Sequence, residues 1–157
     1  MEGLTYAAFR TLHHELFPGA SEYFTPFIAP DREGSFKKKY LKELTAGVPS
    51  VPQLLVNSAE AFNATALKLY DLGFREINLN TGCPSGTVYA KHKGAGMLRD
   101  LSALDQTLDS VCEQAQRLGM RISVSGCASA SRRGWAITAR PSSRTFWKSS
   151  TAIRSPA

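Results

Sequence analysis

The chain predicts an α/β fold: a parallel sheet, open or closed into a (β/α)8 TIM barrel of which this chain would supply only part, followed by an irregular C-terminal tail. Three observations point there. Apolar β-rich runs recur near residues 25, 53, 77 and 122, and helix-periodic stretches fill the intervals between them. Helix-stop glycines close two of those stretches. The chain has 157 residues, whereas a complete barrel of this kind takes about 250.

Taken in order, Thr5 to Phe17 carries Ala8, Phe9, Leu12 and Leu16 at helical spacing, and Pro18-Gly19 ends it. Tyr23 to Ile28 is aromatic and β-branched, a strand that stops before Pro30. Asp31 to Tyr40 reads as a polar loop containing Lys37-Lys38-Lys39, with a short helix running to Leu44. Val51 to Val56 is a buried-strand run in which Pro52 is tolerable near the start. Asn57 with Glu60 forms a capping pair for a helix over Ala61 to Leu72, ended by Gly73. Arg75 to Asn80 is the next strand. Ser102 with Asp105 opens a helix from Ala103 to Leu118 that stops at Gly119, and Arg121 to Val124 begins a further strand.

Composition excludes several classes. No run of 18 or more apolar residues exists, so no membrane span is expected. The N-terminus, Met1-Glu2-Gly3-Leu4, lacks the pattern of a secretory signal. Cys83, Cys112 and Cys127 are odd in number and far apart, without metal-ligand spacing or a disulfide framework. A reducing cytoplasm is the natural setting, and no metal is expected.

The net charge of +6 is unevenly placed. Residues 1–124 carry 13 basic and 13 acidic side chains; residues 125–157 carry 6 basic ones and no acid. The excess therefore belongs to the tail. Residues 1–124 form one domain, and 125–157 have two readings. One is a disordered Arg/Ser-rich RNA-binding segment. The other is out-of-frame translation of a GC-rich gene, since codons compatible with the tail can be re-read as a strand-like run and an amphipathic helix.

The chemistry concentrates after the third strand. Cys83, between Gly82 and Pro84 at a strand-to-loop turn, is placed to act as nucleophile or proton donor. Cys112, in mid-helix, is expected in the core. Gln53 and Asn80 are amides in apolar β-runs and need partners if buried. Lys91, Lys93 and Arg99 flank Gly94-Ala95-Gly96, either a phosphate-approaching loop or a solvated mobile one. Neither the Walker nor the Rossmann glycine fingerprint is present. His13, His14 and His92 are expected at the surface.

The stretch from Asn80 to Leu98, N-T-G-C-P-S-G-T-V-Y-A-K-H-K-G-A-G-M-L, resembles the central motif of the tRNA-dihydrouridine synthases. Met1-Glu2-Gly3-Leu4-Thr5 with Phe9-Arg10, Tyr23-Phe24-Thr25-Pro26-Phe27 and Val51-Pro52-Gln53-Leu54 are similar to other segments of that family, in the same order. The resemblance implies a flavin-binding TIM barrel in which Cys83 protonates C5 of a tRNA uracil. It further implies a hydride from reduced FMN to C6, with NADPH restoring the flavin. By position, Met1 and Gln53 would line the flavin, and Asn80 would bond the flavin or the target base. Lys91, Lys93 and Arg99 would meet the phosphates of a tRNA whose uridine has left its stack. The family's later strand, histidine, phosphate-binding turns and helical RNA-binding domain have no counterpart here, so this polypeptide alone is expected to be an inactive, poorly folded fragment. Two alternatives remain: a related FMN barrel acting on free pyrimidines, as in dihydroorotate or dihydropyrimidine dehydrogenases, and a non-enzymatic RNA-binding protein using the basic tail.

Overall fold

The structure is a computed structural model that describes residues 3–126. Met1, Cys127 and nearly all of the tail lie outside the described residues.

Three parallel strands pair in chain order. They are β1 (Gln53–Leu54), β2 (Glu76–Asn80) and β3 (Arg121–Ser125). Gln53 stands opposite Asn78, and Glu76 to Asn80 pair with Arg121 to Ser125. The connections are helical, as parallel neighbours require. Helix α3 (Ala59–Asp71) joins β1 to β2. A short helix α4 (Gly86–Ala90), a 3-10 helix (Gly94–Arg99) and α5 (Leu101–Leu118) join β2 to β3. Upstream lie α1 (Ala7–Leu16) and α2 (Lys38–Thr45). A sheet laid down in sequential parallel order is compatible with the wall of a barrel.

The expected first strand is present only as two single-residue bridges, Phe24 to Val51 and Ile28 to Leu54. Four residue steps on one side oppose three on the other, so the segment bulges. Pro26 explains it, having no N–H for a ladder. The Gln53 amide that faces the bulge donates instead to Thr25 Oγ1 at 3.2 Å. Pro52 likewise trims the Val51–Val56 run, although its carbonyl still accepts from Asn78 N at 2.8 Å.

Both expected caps move by one or two residues. Ser58 caps α3, its hydroxyl accepting from Ala61 N at 3.3 Å, while Asn57 turns away to donate to the Lys91 carbonyl at 3.0 Å. Asp100, not Ser102, caps α5, with Oδ1 accepting from Ala103 N at 2.9 Å. Each Asp or Ser oxygen sits where it reaches the third N–H of the helix, which is what a cap needs.

The strands present two unlike faces. Leu54, Ile77, Leu79 and Ile122 pack on Phe62, Ala66 and Leu69 of α3 and on Leu104, Leu108 and Val111 of α5. Phe62, Leu54, Ile77 and Leu79 are fully buried there, and burying each is worth about 1.5–3 kcal/mol. Alternation puts Gln53, Asn78, Asn80, Ser123 and Ser125 on the opposite face. The core glues the sheet to its helices; the polar face carries the site.

Candidate functional site at the carboxyl end of β2

Strand β2 ends at Asn80, and the Asn80 side chain organises the turn beyond it. Asn80 Oδ1 accepts from Gly82 N at 2.9 Å and from Cys83 N at 3.0 Å. This is an Asx-type turn, in which a short carboxamide replaces the strand partner the chain has just left. Thr81 stays tied to β3, its N–H donating to the Ser125 carbonyl at 2.8 Å. The Cys83 carbonyl in turn accepts from Ala95 N at 3.1 Å. The half-buried thiol is thus mounted on a turn held from both sides.

The lysine- and glycine-rich stretch is not the loose loop its composition suggests. It folds into α4 and the 3-10 helix, and Gly94, Gly96 and Met97 are buried. A methyl group on Gly94 would stand 2.8 Å from Cys83 O and 2.9 Å from Cys83 Cβ; on Gly96 it would stand 2.5 Å from Tyr89 O. Those glycines are there because backbone packs on backbone, and no phosphate cradle is needed to explain them. The flanking cations differ in exposure, Lys93 being half-buried. Lys91 and Arg99 are exposed, and Arg99 Cζ lies 5.4 Å from the Tyr89 ring centroid. Burial, and secondarily Lys91, hold the Lys93 ammonium below its ordinary range. His92, Arg99 and Asn57 line a groove of about 390 Å³ beside the start of α5.

Gln53 and Asn80 come together. Asn80 Nδ2 donates to Gln53 Oε1 at 2.9 Å, and Gln53 Nε2 donates to Asn78 Oδ1 at 3.0 Å. Asn78 is almost fully buried and was not singled out from the sequence, nor were Ser123 and Ser125, which bond to it. Their signal was available: alternate polar residues in otherwise apolar strands. Cys112 is half-buried, so the expected core position is only partly realised. Burial and then Asp109 raise its thiol above the usual range.

Arg10 was also missed as a structural residue. Its side chain is 1% exposed, donating to the carbonyls of Thr5 at 2.6 Å, Glu43 at 2.6 Å and Ala46 at 3.2 Å. Its guanidinium also meets the Glu43 carboxylate at 3.4 Å, and that carboxylate accepts from Ala7 N at 2.8 Å. The cluster locks α1 to α2. Among the described residues no group of three or more His, Cys, Asp and Glu could hold a metal ion, and no helix is long and apolar enough to cross a membrane.

A parallel α/β sheet that presents one clamped thiol at the carboxyl end of a strand defines a class of proteins built for chemistry at that rim. Residues 1–124 match the family described as dihydrouridine synthase (Dus), and the chain belongs to that family. Curated relatives agree. A tRNA-dihydrouridine(16) synthase of Neisseria meningitidis serogroup B is 39% identical over 66 residues, covering 38% of this chain and 20% of the relative. A probable tRNA-dihydrouridine synthase of Staphylococcus aureus (strain Mu50) is 38% identical over 50 residues, covering 32% and 15%. One of Staphylococcus epidermidis (strain ATCC 12228) is 30% identical over 76 residues, covering 48% and 22%. The chain thus spans less than a quarter of the length of these relatives.

Proposed function

We propose that residues 1–124 form the acid-bearing part of a flavin-dependent tRNA uridine reductase, about the first half of its TIM barrel, working in the cytoplasm. The observation that carries this reading is the clamped Cys83 turn at the end of β2, within a chain of the dihydrouridine synthase family.

Cys83 is the general acid. Saturating the uracil C5–C6 bond needs a hydride at C6 and a proton at C5. The thiol gives up the proton, becomes a thiolate, and is reprotonated from solvent. A turn fixed at Cys83 N by Asn80 and at Cys83 O by Ala95 holds the backbone that carries the thiol in one place as the base enters.

The residues present fit the ring systems involved. Beyond the bonds among the described residues, Asn80 Nδ2 keeps one hydrogen and Gln53 Oε1 one lone pair. A donor beside an acceptor complements the alternating carbonyl and N–H edge that flavin and uracil share. Gln53 and Asn80 would hold FMN or the base by that edge. Met1, also proposed to line the flavin, lies outside the described residues. FMN, when bound, supplies the hydride chemistry, with NADPH as the source of electrons. Lys91 and Arg99, both exposed, and the half-buried Lys93 flank the 3-10 helix and would neutralise tRNA phosphates once the uridine is extruded.

The purified 157-residue chain is expected to emerge without stoichiometric flavin and without turnover; a stably yellow, active product would remove that part of the proposal. The chemistry is tested by grafting residues 1–124 into the meningococcal relative and assaying the graft on tRNA, free uracil and dihydroorotate. Dihydrouridine in tRNA alone is the expected result. Turnover of the free pyrimidines would favour the rival barrel chemistry. Unchanged tRNA binding by the chain after deletion of residues 125–157 would remove the basic-tail reading.

A further inference from the structure

We infer that Gln53 and Asn78 act as positioning residues for Cys83, through a one-way hydrogen-bond chain of carboxamides on β1 and β2 that ends on hydroxyls of β3. The inference rests on the proposed acid role of Cys83, and it goes beyond the assignment of Gln53 as a ligand contact.

The direction of the chain is set by the turn. Gly82 N–H and Cys83 N–H can only donate, so the atom of Asn80 facing both must be its oxygen. That forces Nδ2 toward β1, where it donates to Gln53. The Gln53 atom receiving it must be Oε1, so Nε2 turns the other way and donates to Asn78 Oδ1 at 3.0 Å. Asn78 Oδ1 also accepts from Ser125 Oγ at 2.8 Å, and Asn78 Nδ2 donates to Ser123 Oγ at 2.9 Å. The chain ends there on hydroxyls, groups that can donate or accept and so terminate it in either sense.

Flipping Asn80 or Gln53 would oppose two donors or two acceptors at both ends, and flipping Asn78 would set its Nδ2 against Gln53 Nε2. The network therefore has one arrangement that satisfies every group, and Gln53 and Asn78 are nearly buried, where an unmet bond is costly. Neither residue touches Cys83. Both hold Asn80 Oδ1 aimed at the Cys83 amide, so a change in β1 is read out at a turn almost thirty residues away in sequence.

The test uses the whole 157-residue chain and tracks amide hydrogen exchange at Gly82 and Cys83. The alkylation rate of Cys83 is read in parallel on its own peptide by mass spectrometry. Gln53→Met keeps the volume and removes all three side-chain bonds of Gln53, those with Asn80 and Asn78 and the longer one to Ser125 Oγ at 3.4 Å. The chain predicts exchange at these two amides about tenfold faster, as for one lost hydrogen bond, and faster alkylation. Gln53→Glu, in the neutral form that its buried position favours, keeps an acceptor toward Asn80 and an O–H donor toward Asn78, and should bring exchange back to within about threefold of the wild type; a packing role alone would give no such rescue. Ser123→Ala, a mild change at the far end, should raise exchange about two- to threefold and stands in if Gln53→Met does not fold. Wild-type exchange in Gln53→Met, or in Ser123→Ala where that variant stands in, overturns the inference. Since neither flavin nor tRNA enters these readouts, the relay can fail while the acid role of Cys83 stands. Equally, a Cys83→Ala graft with intact turnover would defeat the acid role and leave the relay untouched.

Discussion

Gly94 lies against Cys83 so closely that a β-carbon on it would stand 2.8 Å from the Cys83 carbonyl oxygen and 2.9 Å from the Cys83 β-carbon. The glycine-rich segment is thereby a floor under the thiol's turn. Its φ of +54° adds a second reason for glycine.

The two reasons can be separated. Gly119 has φ +63° and nothing within 4 Å of an added β-carbon, so Gly119→Ala isolates the backbone cost, about 1–2 kcal/mol. Gly94→Ala adds a clash with backbone that cannot swing away, about 1–3 kcal/mol more. Urea unfolding should place Gly94→Ala well below Gly119→Ala. Equal losses would mean that the turn yields freely.

Removing the Arg10 guanidinium should be severe for a residue on the first helix. Arg10→Leu takes the shared donor from three part-buried carbonyls and leaves the Glu43 carboxylate with Ala7 N alone, and about 3 kcal/mol should be lost. Glu43→Gln should cost less, since the carbonyl acceptors remain. Thermal unfolding of the two variants checks the order.

Burial and Asp109 raise the Cys112 thiol, so less of it is thiolate at any given pH. Its alkylation should be slower than that of a free cysteine peptide at neutral pH, with the rate rising only at higher pH. A rate matching the free peptide at neutral pH would contradict the assignment.

Lys93 predicts opposite effects on stability and binding. Its ammonium is disfavoured by burial and by Lys91, so the unfolded chain holds that proton more tightly. The cost is present at neutral pH and relieved only as pH rises through the lowered value. Lys93→Met should therefore stabilise the chain slightly. Replacing Lys91 and Lys93 together should flatten the salt dependence of tRNA binding by about 0.7–0.9 in slope per lost phosphate contact. An unchanged slope would place the RNA elsewhere.

Much of this was legible in the chain because it is local. The apolar run into Asn80, the Gly-Cys-Pro turn and the periodic faces of α3 and α5 are written within a few residues. The caps were less so, because Asn57 and Ser58, or Asp100 and Ser102, compete within one turn and only backbone geometry chooses. Arg10 depends on the carbonyls of Glu43 and Ala46, more than thirty residues away, which no local pattern displays. Residues 86–99 looked like a loop because glycine and lysine usually mean solvent, whereas here glycine means close contact. The aim of the Asn80 oxygen, inward to the turn, depends on where two N–H groups point.

The central claim is that Cys83 supplies the proton. Its most direct measurement is single-turnover formation of dihydrouridine on tRNA by the graft of residues 1–124 into the meningococcal relative, compared with the same graft carrying Cys83→Ala. General acid catalysis is worth about 10²–10⁴-fold, so a loss in that range is predicted, with flavin content and melting temperature unchanged. An equally yellow, equally stable Cys83→Ala graft that turns over at the parent rate would contradict it.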